Sequence, residues 1–168
     1  MGAIRSLGRL AVVAAGAAGL ACGDDDPTGP GSVSFPDWPA TIVAAFCVRG
    51  TAVVDETKSS TLADTDCDVA AFDPVNEGYF EAWRVRVASA RDVTFDASST
   101  FDNVLTVFRV NSVSATSVDI DVLGGNDDRS ATSTNALVTV RLEPNVDYAV
   151  AVSGVFYEET GPYTLALR

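Results

Sequence analysis

The sequence predicts an all-β fold, an antiparallel β-sandwich, and three observations support this prediction. Apolar and polar residues alternate in short segments between residues 79 and 167, as in strands that bury one face. Turn-forming residues separate these segments. No segment of the same region repeats its apolar residues at the 3.6-residue period of a helix over a useful length. Several such strands imply antiparallel sheets that share a core.

Residues 1–21 resemble the export signal of a bacterial lipoprotein. Arg5 and Arg9 give a positive start, and Leu10 to Ala21 is an apolar run of 12 residues, shorter than the ~20 that span a bilayer. Small residues then lead into Cys22, which predicts cleavage before Cys22 and a lipid on its sulfur. Lipoprotein signals usually have a large aliphatic residue three positions before the cysteine, and here that position is Gly19. An ordinary secretory signal with a coincidental cysteine is therefore the alternative.

Residues 22–39 predict a lipidated, flexible tether. Aspartate, proline and glycine dominate this stretch, which cannot bury a core. Trp38 falls within it and has no neighbour that would make it a site. Gly23 stands where similar lipoproteins that stay at the inner membrane often have aspartate. We therefore expect the chain at the bacterial cell envelope, on the outer membrane or the cell surface.

The folded domain is predicted to span residues 40–168. Thr41 to Val48 is apolar and β-branched, which indicates a first strand, and Thr51 to Val54 indicates a short one. With Cys22 lipidated, Cys47 and Cys67 form an even pair in an oxidising compartment, and this predicts a disulfide. Two buried free thiols are the alternative.

The strands that follow are separated by recognisable turns. In the segment from Trp83 to Val87 one face is apolar, and the other carries Arg84 and Arg86 toward solvent. Gly124 to Asp127 predicts a tight turn, because its residues tolerate positive φ. Glu143 to Asn145 predicts a hairpin between two strong strands.

Four pieces of the chain, in this order, resemble the bacterial pre-peptidase C-terminal domain. They are Gly78 to Trp83, Ser98 to Leu105, Asn126 to Asp128, and Gly161 to Leu165. This family has a β-sandwich of jelly-roll type and usually accompanies secreted peptidases. The resemblance implies a jelly-roll-like sandwich and a non-catalytic accessory role. An unrelated sandwich is the alternative.

The resemblance also implies a calcium site. Asp102, Asn126, Asp127 and Asp128 lie in adjacent loops of the resembled family, some members of which bind calcium, and Ca²⁺ prefers such oxygen ligands. The alternative is that Asp102 and Asn126 cap turns by bonding to nearby backbone groups. The D-x-D-x-D spacing of Asp64 to Asp68 is no EF-hand, because Val69 and Val75 occupy the glycine and glutamate positions.

Composition narrows the function. The chain has 11 basic and 23 acidic residues, a formal net charge of −12, which becomes −14 once Arg5 and Arg9 leave with the leader. This sign disfavours nucleic acid. The absence of histidine excludes Ser-His-Asp and Cys-His catalysis, and no feature picks out a carboxylate pair among the acids. We therefore expect no enzyme.

The expected function is that of a non-catalytic binding or accessory module on a membrane-anchored lipoprotein, with calcium as the expected cofactor. Its partners would be the membrane, through the lipid anchor, and an extracellular polymer or an envelope protein. Two alternatives stay open. One is a structural subunit of an envelope complex that pairs through a sheet edge or face, and the other is a hydrolase with carboxylate chemistry.

Overall fold

A computed structural model describes residues 10–13, 37–71 and 78–168, without the side chains of residues 10–13 and 71. The described residues form one α-helix, α1 (Ala40–Ala45), one 3-10 helix (Val69–Ala71) and eleven strands. The strands are β1 (Leu10–Val13), β2 (Val48–Ala52), β3 (Thr57–Leu62), β4 (Cys67–Asp68), β5 (Tyr79–Val85), β6 (Arg91–Ser99), β7 (Asn103–Val113), β8 (Ser117–Asn126), β9 (Leu137–Leu142), β10 (Asp147–Gly154) and β11 (Gly161–Leu167).

These strands form two sheets, which confirms the predicted all-β sandwich. The seven-stranded sheet has the order β1-β8-β7-β10-β5-β2, with β4 also paired to β5, and the four-stranded sheet has the order β3-β11-β6-β9. Neighbouring strands are antiparallel except β2 and β5, which are parallel. The alternating segments predicted between residues 79 and 167 all form strands, β5 to β11.

The main core lies between the two sheets, and both contribute buried apolar side chains to it. Trp83 and Val150 come from the seven-stranded sheet, while Phe95 and Leu165 come from the four-stranded sheet. Trp83 is 8% exposed, in agreement with the apolar face predicted for the segment from Trp83 to Val87. Complete burial of side chains of this size stabilises the fold by about 1.5–3 kcal/mol each.

A second apolar cluster covers the outer face of the seven-stranded sheet, and it corrects two predictions. Trp38, assigned to the tether, is buried there with Ile42 and Phe46. The predicted strand from Thr41 to Val48 is wrong, because its first half is α1. Ile42 lies within α1, Trp38 precedes the helix and Phe46 is its C-cap, and their spacing of four residues brings all three to the same side. The backbone N–H groups of Ile42 and Val43 donate to the carbonyl of Pro39 at its start.

This covering helix changes the environment of a residue predicted to face solvent. Arg84 is 7% exposed, and its guanidinium carbon lies 4.7 Å from the centroid of the Trp38 ring. The predicted alternation of side chains between the two faces of β5 is confirmed. Its second face, however, is covered by protein rather than by water.

A predicted tight turn and a predicted hairpin are also wrong, although the turn at Pro144 and Asn145 itself occurs. Gly124 and Gly125 lie within β8, where they pair with Val107 and Thr106. A Cβ atom on Gly124 would come 3.3 Å from Cγ2 of Val138 in the opposite sheet, so glycine serves close packing there. The segment Glu143–Asn145 joins β9 to β10, which lie in different sheets, and is therefore no hairpin.

At the start of the chain, β1 pairs antiparallel with β8. Residues 14–36 lie outside the described residues, and so do Cys22 and the predicted cleavage site. In the part of the chain that the structure describes, no helix has the length and apolar character to cross a membrane.

Candidate functional site

A shallow, open groove crosses the four-stranded sheet and is the candidate binding site. Nine residues line it; β3, β6 and β11 carry eight of them, and Thr100 directly follows β6. The nine are Ser59, Ser60, Thr61, Ser98, Ser99, Thr100, Pro162, Tyr163 and Thr164. Seven of the nine carry an aliphatic hydroxyl group.

The antiparallel register places these hydroxyls in rows. Thr164 pairs with Ser59 on one side and with Ser98 on the other, so three exposed hydroxyl residues stand side by side across three strands. Pro162 pairs with Thr61. Because alternate residues of a strand share a face, Thr61 and Pro162 form a second row beside the first.

The groove is electrically neutral, although the chain is strongly acidic. None of its lining residues is charged, whereas the whole chain carries a net charge of −12. The nearest acid along β6 beyond Ser98 is Asp96. It is 8% exposed and ion-paired with Arg129 and, at 2.7 Å, with Arg168. Its charge is therefore compensated locally.

A buried polar network lies behind the groove and is centred on Glu81 of β5. Glu81 is fully buried, and its Oε2 accepts hydrogen bonds from Ser60 Oγ at 2.7 Å and from Tyr163 Oη at 2.9 Å. Tyr163 in turn accepts one from Trp83 Nε1 at 2.9 Å. Ser60 and Tyr163 also belong to the strands that carry the groove, and their side chains point inward to Glu81, so the network braces β3 and β11 beneath the binding face.

Burial raises the pKa of Glu81, while the hydrogen bonds from Ser60 and Tyr163 and the nearby Arg49 oppose the rise. Burial and the Glu81 carboxylate also raise the pKa of the Tyr163 phenol. The phenol therefore keeps its proton and remains a hydrogen-bond donor to Glu81.

Arg49 connects this network to the disulfide region. Its Nη2 atom lies 3.1 Å from Glu81 Oε1 and also forms an ion pair with Asp66. Asp66 immediately precedes Cys67, which is bonded to Cys47 with a Cα–Cα distance of 5.7 Å. The predicted disulfide is thus confirmed.

These bonds also bear on the alternative of a carboxylate hydrolase. Glu81 and Asp66 are the two carboxylates that Arg49 joins, so both serve an internal ion-pair network. Neither is among the residues that line the groove. The groove thus presents hydroxyl groups, and no acid–base pair, to a ligand.

The residues of the predicted calcium site lie at one end of the sandwich. Burial raises the pKa of Asp102, and so do the charges of Glu159, Asp128 and Asp127, which are therefore close enough to interact. Sequence reasoning missed Glu159, whose Oε2 accepts the backbone N–H groups of Val155 and Phe156.

Asn126, the remaining predicted ligand, acts as a turn former. Its side-chain amide donates to the carbonyls of Asp128 at 2.6 Å and Leu137 at 2.9 Å. Among the described residues, no three carboxylate or cysteine side chains converge closely enough to hold a metal ion. Calcium binding stays a prediction.

The hydroxyl groove was missed by sequence reasoning, although a signal exists. The tripeptide Ser-Ser-Thr occurs at residues 59–61 and again at residues 98–100, and these two copies flank β11 in the groove. Glu81 gives no comparable signal, because its burial depends on contacts with the other sheet.

No protein-family model matches the sequence, and no curated protein matches it. Solved structures do share the fold. CorA of Methylomicrobium album BG8, described as a surface-associated copper-binding protein, has a TM-score of 0.51 at 9% identity, covering 73% of this chain and 98% of its own.

Two further structures are less similar. The pre-peptidase C-terminal domain of Bacillus anthracis collagenase has a TM-score of 0.48 at 10% identity, covering 72% of this chain and 94% of its own. PliG of Aeromonas hydrophila, a periplasmic inhibitor of g-type lysozyme, has a TM-score of 0.38 at 12% identity, with coverages of 71% and 96%. At 9% identity, the likeness to CorA concerns the fold alone.

Proposed function

We propose that this protein is a non-catalytic binding module, displayed by a lipid anchor at the bacterial cell envelope, that contacts an extracellular polymer. The observation that carries the proposal is the neutral, hydroxyl-lined groove on an otherwise acidic chain. Solubility alone would be served by placing charges on this face. A groove that is lined by uncharged residues and crosses three well-paired strands is suited to contact with a ligand.

The envelope location rests on the leader and on cysteine chemistry. Leu10 to Ala21 has the length of a signal sequence and ends at Cys22. The Cys47–Cys67 disulfide supports the same location, because such bonds persist outside the reducing cytosol. A lipid anchor on Cys22 would hold the folded domain at the outer side of the membrane through the predicted tether, residues 22–39.

Copper binding is not carried over from CorA. Copper sites in proteins use histidine, cysteine or methionine ligands. This chain has no histidine, and its one methionine is Met1, at the start of the leader. Of its three cysteines, Cys47 and Cys67 are joined in a disulfide and Cys22 is the predicted lipidation site. We keep calcium, at Asp102 and Asn126 to Asp128, as the proposed cation.

Retention by native envelope material tests the proposed function. The full chain is expressed with its leader, solubilised in detergent and incubated with insoluble cell-envelope polymer from the producing cells. Thr164→Arg places a long cation in the middle of the groove, and we expect it to lower retention at least tenfold. Thr57→Arg, on the same sheet outside the groove, is the matched control and should be retained like the parent.

Failure of the parent protein to bind any envelope polymer would overturn the proposal. Equal retention of both arginine variants would place the contact elsewhere.

The second candidate, a subunit of an envelope complex, is favoured by the edge of β8, which pairs with β1 and would be freed once the leader that contains β1 is removed. An edge strand that accepts an extended segment can accept one from a partner by β-strand addition. Val122 and Leu123 on β8 are 44% and 39% exposed. If a protein partner binds this edge, cross-linking in cells should recover one protein, and Leu123→Lys should reduce its yield. Recovery of polymer alone would exclude this candidate.

A further inference from the structure

We infer that the groove recognises an uncharged polysaccharide, along the side of the chain and without a bound cation. This inference rests on the proposed function and adds the chemical class of the ligand. It is argued from the hydroxyl rows, the distribution of charge, the single proline ring and the rigidity of the groove floor.

The hydroxyl groups match the chemistry of sugars. A serine or threonine hydroxyl donates one hydrogen bond and accepts two, as a sugar hydroxyl does, so each can pair with the other in either sense. Thr164, Ser59 and Ser98 stand in one row at the strand separation of about 4.8 Å, and the next row along each strand follows after about 6.7 Å. A polymer with hydroxyls along its length can meet several of them together.

The distribution of charge disfavours charged polymers. A polyanion would approach a chain of net charge −12 against electrostatic repulsion. A polycation would find no carboxylate among the lining residues, and the nearby Asp96 is already neutralised by Arg129 and Arg168. A neutral polymer is neither repelled by the net negative charge nor dependent on carboxylates in the groove.

Pro162 provides the apolar element of the site. It is exposed at the start of β11, where its missing N–H does least damage to the sheet, and it stands beside Thr61 and Thr164. The C–H face of a sugar ring can pack on the proline ring while its hydroxyls reach the flanking threonines. The groove is open and shallow, which suits the side of an extended chain better than a chain end.

The groove floor is rigid before any ligand binds. Glu81 holds both Ser60 and Tyr163, whose backbones form the middle of β3 and β11. A preformed site loses less conformational entropy on binding. Glu81 is therefore a positioning residue for the hydroxyl rows. Many lipid-anchored copies facing one polymer would add avidity to weak single contacts.

A retention assay with defined polymers tests the inference. The detergent-solubilised full chain is incubated with insoluble cellulose and chitin as neutral probes, calcium-cross-linked alginate as the anionic probe and chitosan as the cationic probe. We expect at least one neutral polymer to retain the protein tenfold better than alginate or chitosan. EDTA, added to the neutral polymers, should leave that retention unchanged.

Two sets of variants locate the site. The triple change Ser59→Ala, Ser98→Ala and Thr164→Ala removes the central row and should lower retention on the neutral polymer about tenfold. Thr164→Arg should abolish retention, and Thr57→Arg should not change it. Glu81→Gln should weaken retention in a protein whose circular dichroism spectrum is unaltered.

The outcomes separate this inference from the proposed function. Retention by native envelope polymer, together with binding only to alginate or chitosan, would overturn the inference and leave the proposed function standing. Retention by neither native nor defined polymer would overturn both. Binding to cellulose or chitin that survives the triple change and Thr164→Arg would overturn the groove as the site.

Discussion

Tyr163 donates its phenolic proton to Glu81 across a 2.9 Å hydrogen bond in the interior of the sandwich. The two residues belong to different sheets, since Tyr163 lies in β11 and Glu81 in β5. This bond therefore links the binding face to the opposite sheet.

The raised pKa of Glu81 predicts a pH dependence of stability. A carboxyl whose folded-state pKa exceeds its unfolded value binds protons more tightly in the folded state. Its contribution to stability is fully present below the unfolded pKa, about 4.3, and is lost as pH rises through the folded pKa. Urea unfolding of the parent, compared with Glu81→Gln from pH 3.5 to 8, should show the parent losing free energy of unfolding relative to the variant. A constant difference across this range would contradict the prediction.

Removal of the disulfide should destabilise the domain. Cys47 and Cys67 are 20 residues apart, and closing a loop of this size contributes about 3 kcal/mol in the chain-entropy account. The double change Cys47→Ser and Cys67→Ser should lower the free energy of unfolding in urea by about this amount. Reduction of the parent with dithiothreitol should reproduce the effect, and should leave the double variant unchanged. An unaltered urea midpoint in the variant would contradict the prediction.

Lipidation of Cys22 is a prediction from the leader. Cys22→Ser removes the sulfur that would carry the lipid, so the protein should move from the membrane fraction to the soluble fraction. Metabolic labelling with an alkyne fatty acid should mark the parent and not the variant. If the variant stays in the membrane fraction, and the leader is uncleaved in both the variant and the parent, the lipoprotein prediction is wrong.

Calcium should raise the thermal stability of the protein if it binds at Asp102 and Asn126 to Asp128. Exposed extracellular sites bind Ca²⁺ at about 10⁻⁴–10⁻³ M, so 10 mM calcium should raise the melting temperature by a few degrees over EDTA at matched ionic strength. Magnesium should act more weakly. Asp127→Ala should remove the increment, while Asp64→Ala, an equal charge change at another exposed site, should keep it. Identical melting curves in calcium and EDTA would return these residues to a role in turns.

Strand alternation could be read from the sequence, because one face of each strand packs on the core between the sheets. The helix α1 was misassigned for a physical reason. Its residues are β-branched or small, and only the spacing of Trp38, Ile42 and Phe46 records the helical period. Because the helix is so short, its β-branched composition favours a strand more strongly than this spacing favours a helix.

The candidate site was harder to predict than the fold. Serine and threonine are ordinary residues on the exposed face of a strand, so Ser59 and Ser98 carry meaning only once the register sets them beside Thr164. The burial of Glu81 likewise follows from the packing of one sheet on the other. Both features depend on long-range pairing, which local patterns do not encode.

The position of β11 has a consequence for how the protein is made. β11 follows β3 and β6 in sequence, lies between them and pairs with both, so the four-stranded sheet lacks its centre until β11 has been synthesised. Pairings between distant parts of a chain are slow to form. A growing chain would therefore keep β3 and β6 unpaired with each other until β11 appears, and deletion of β11 (Gly161–Leu167) would leave two exposed strand edges prone to aggregation.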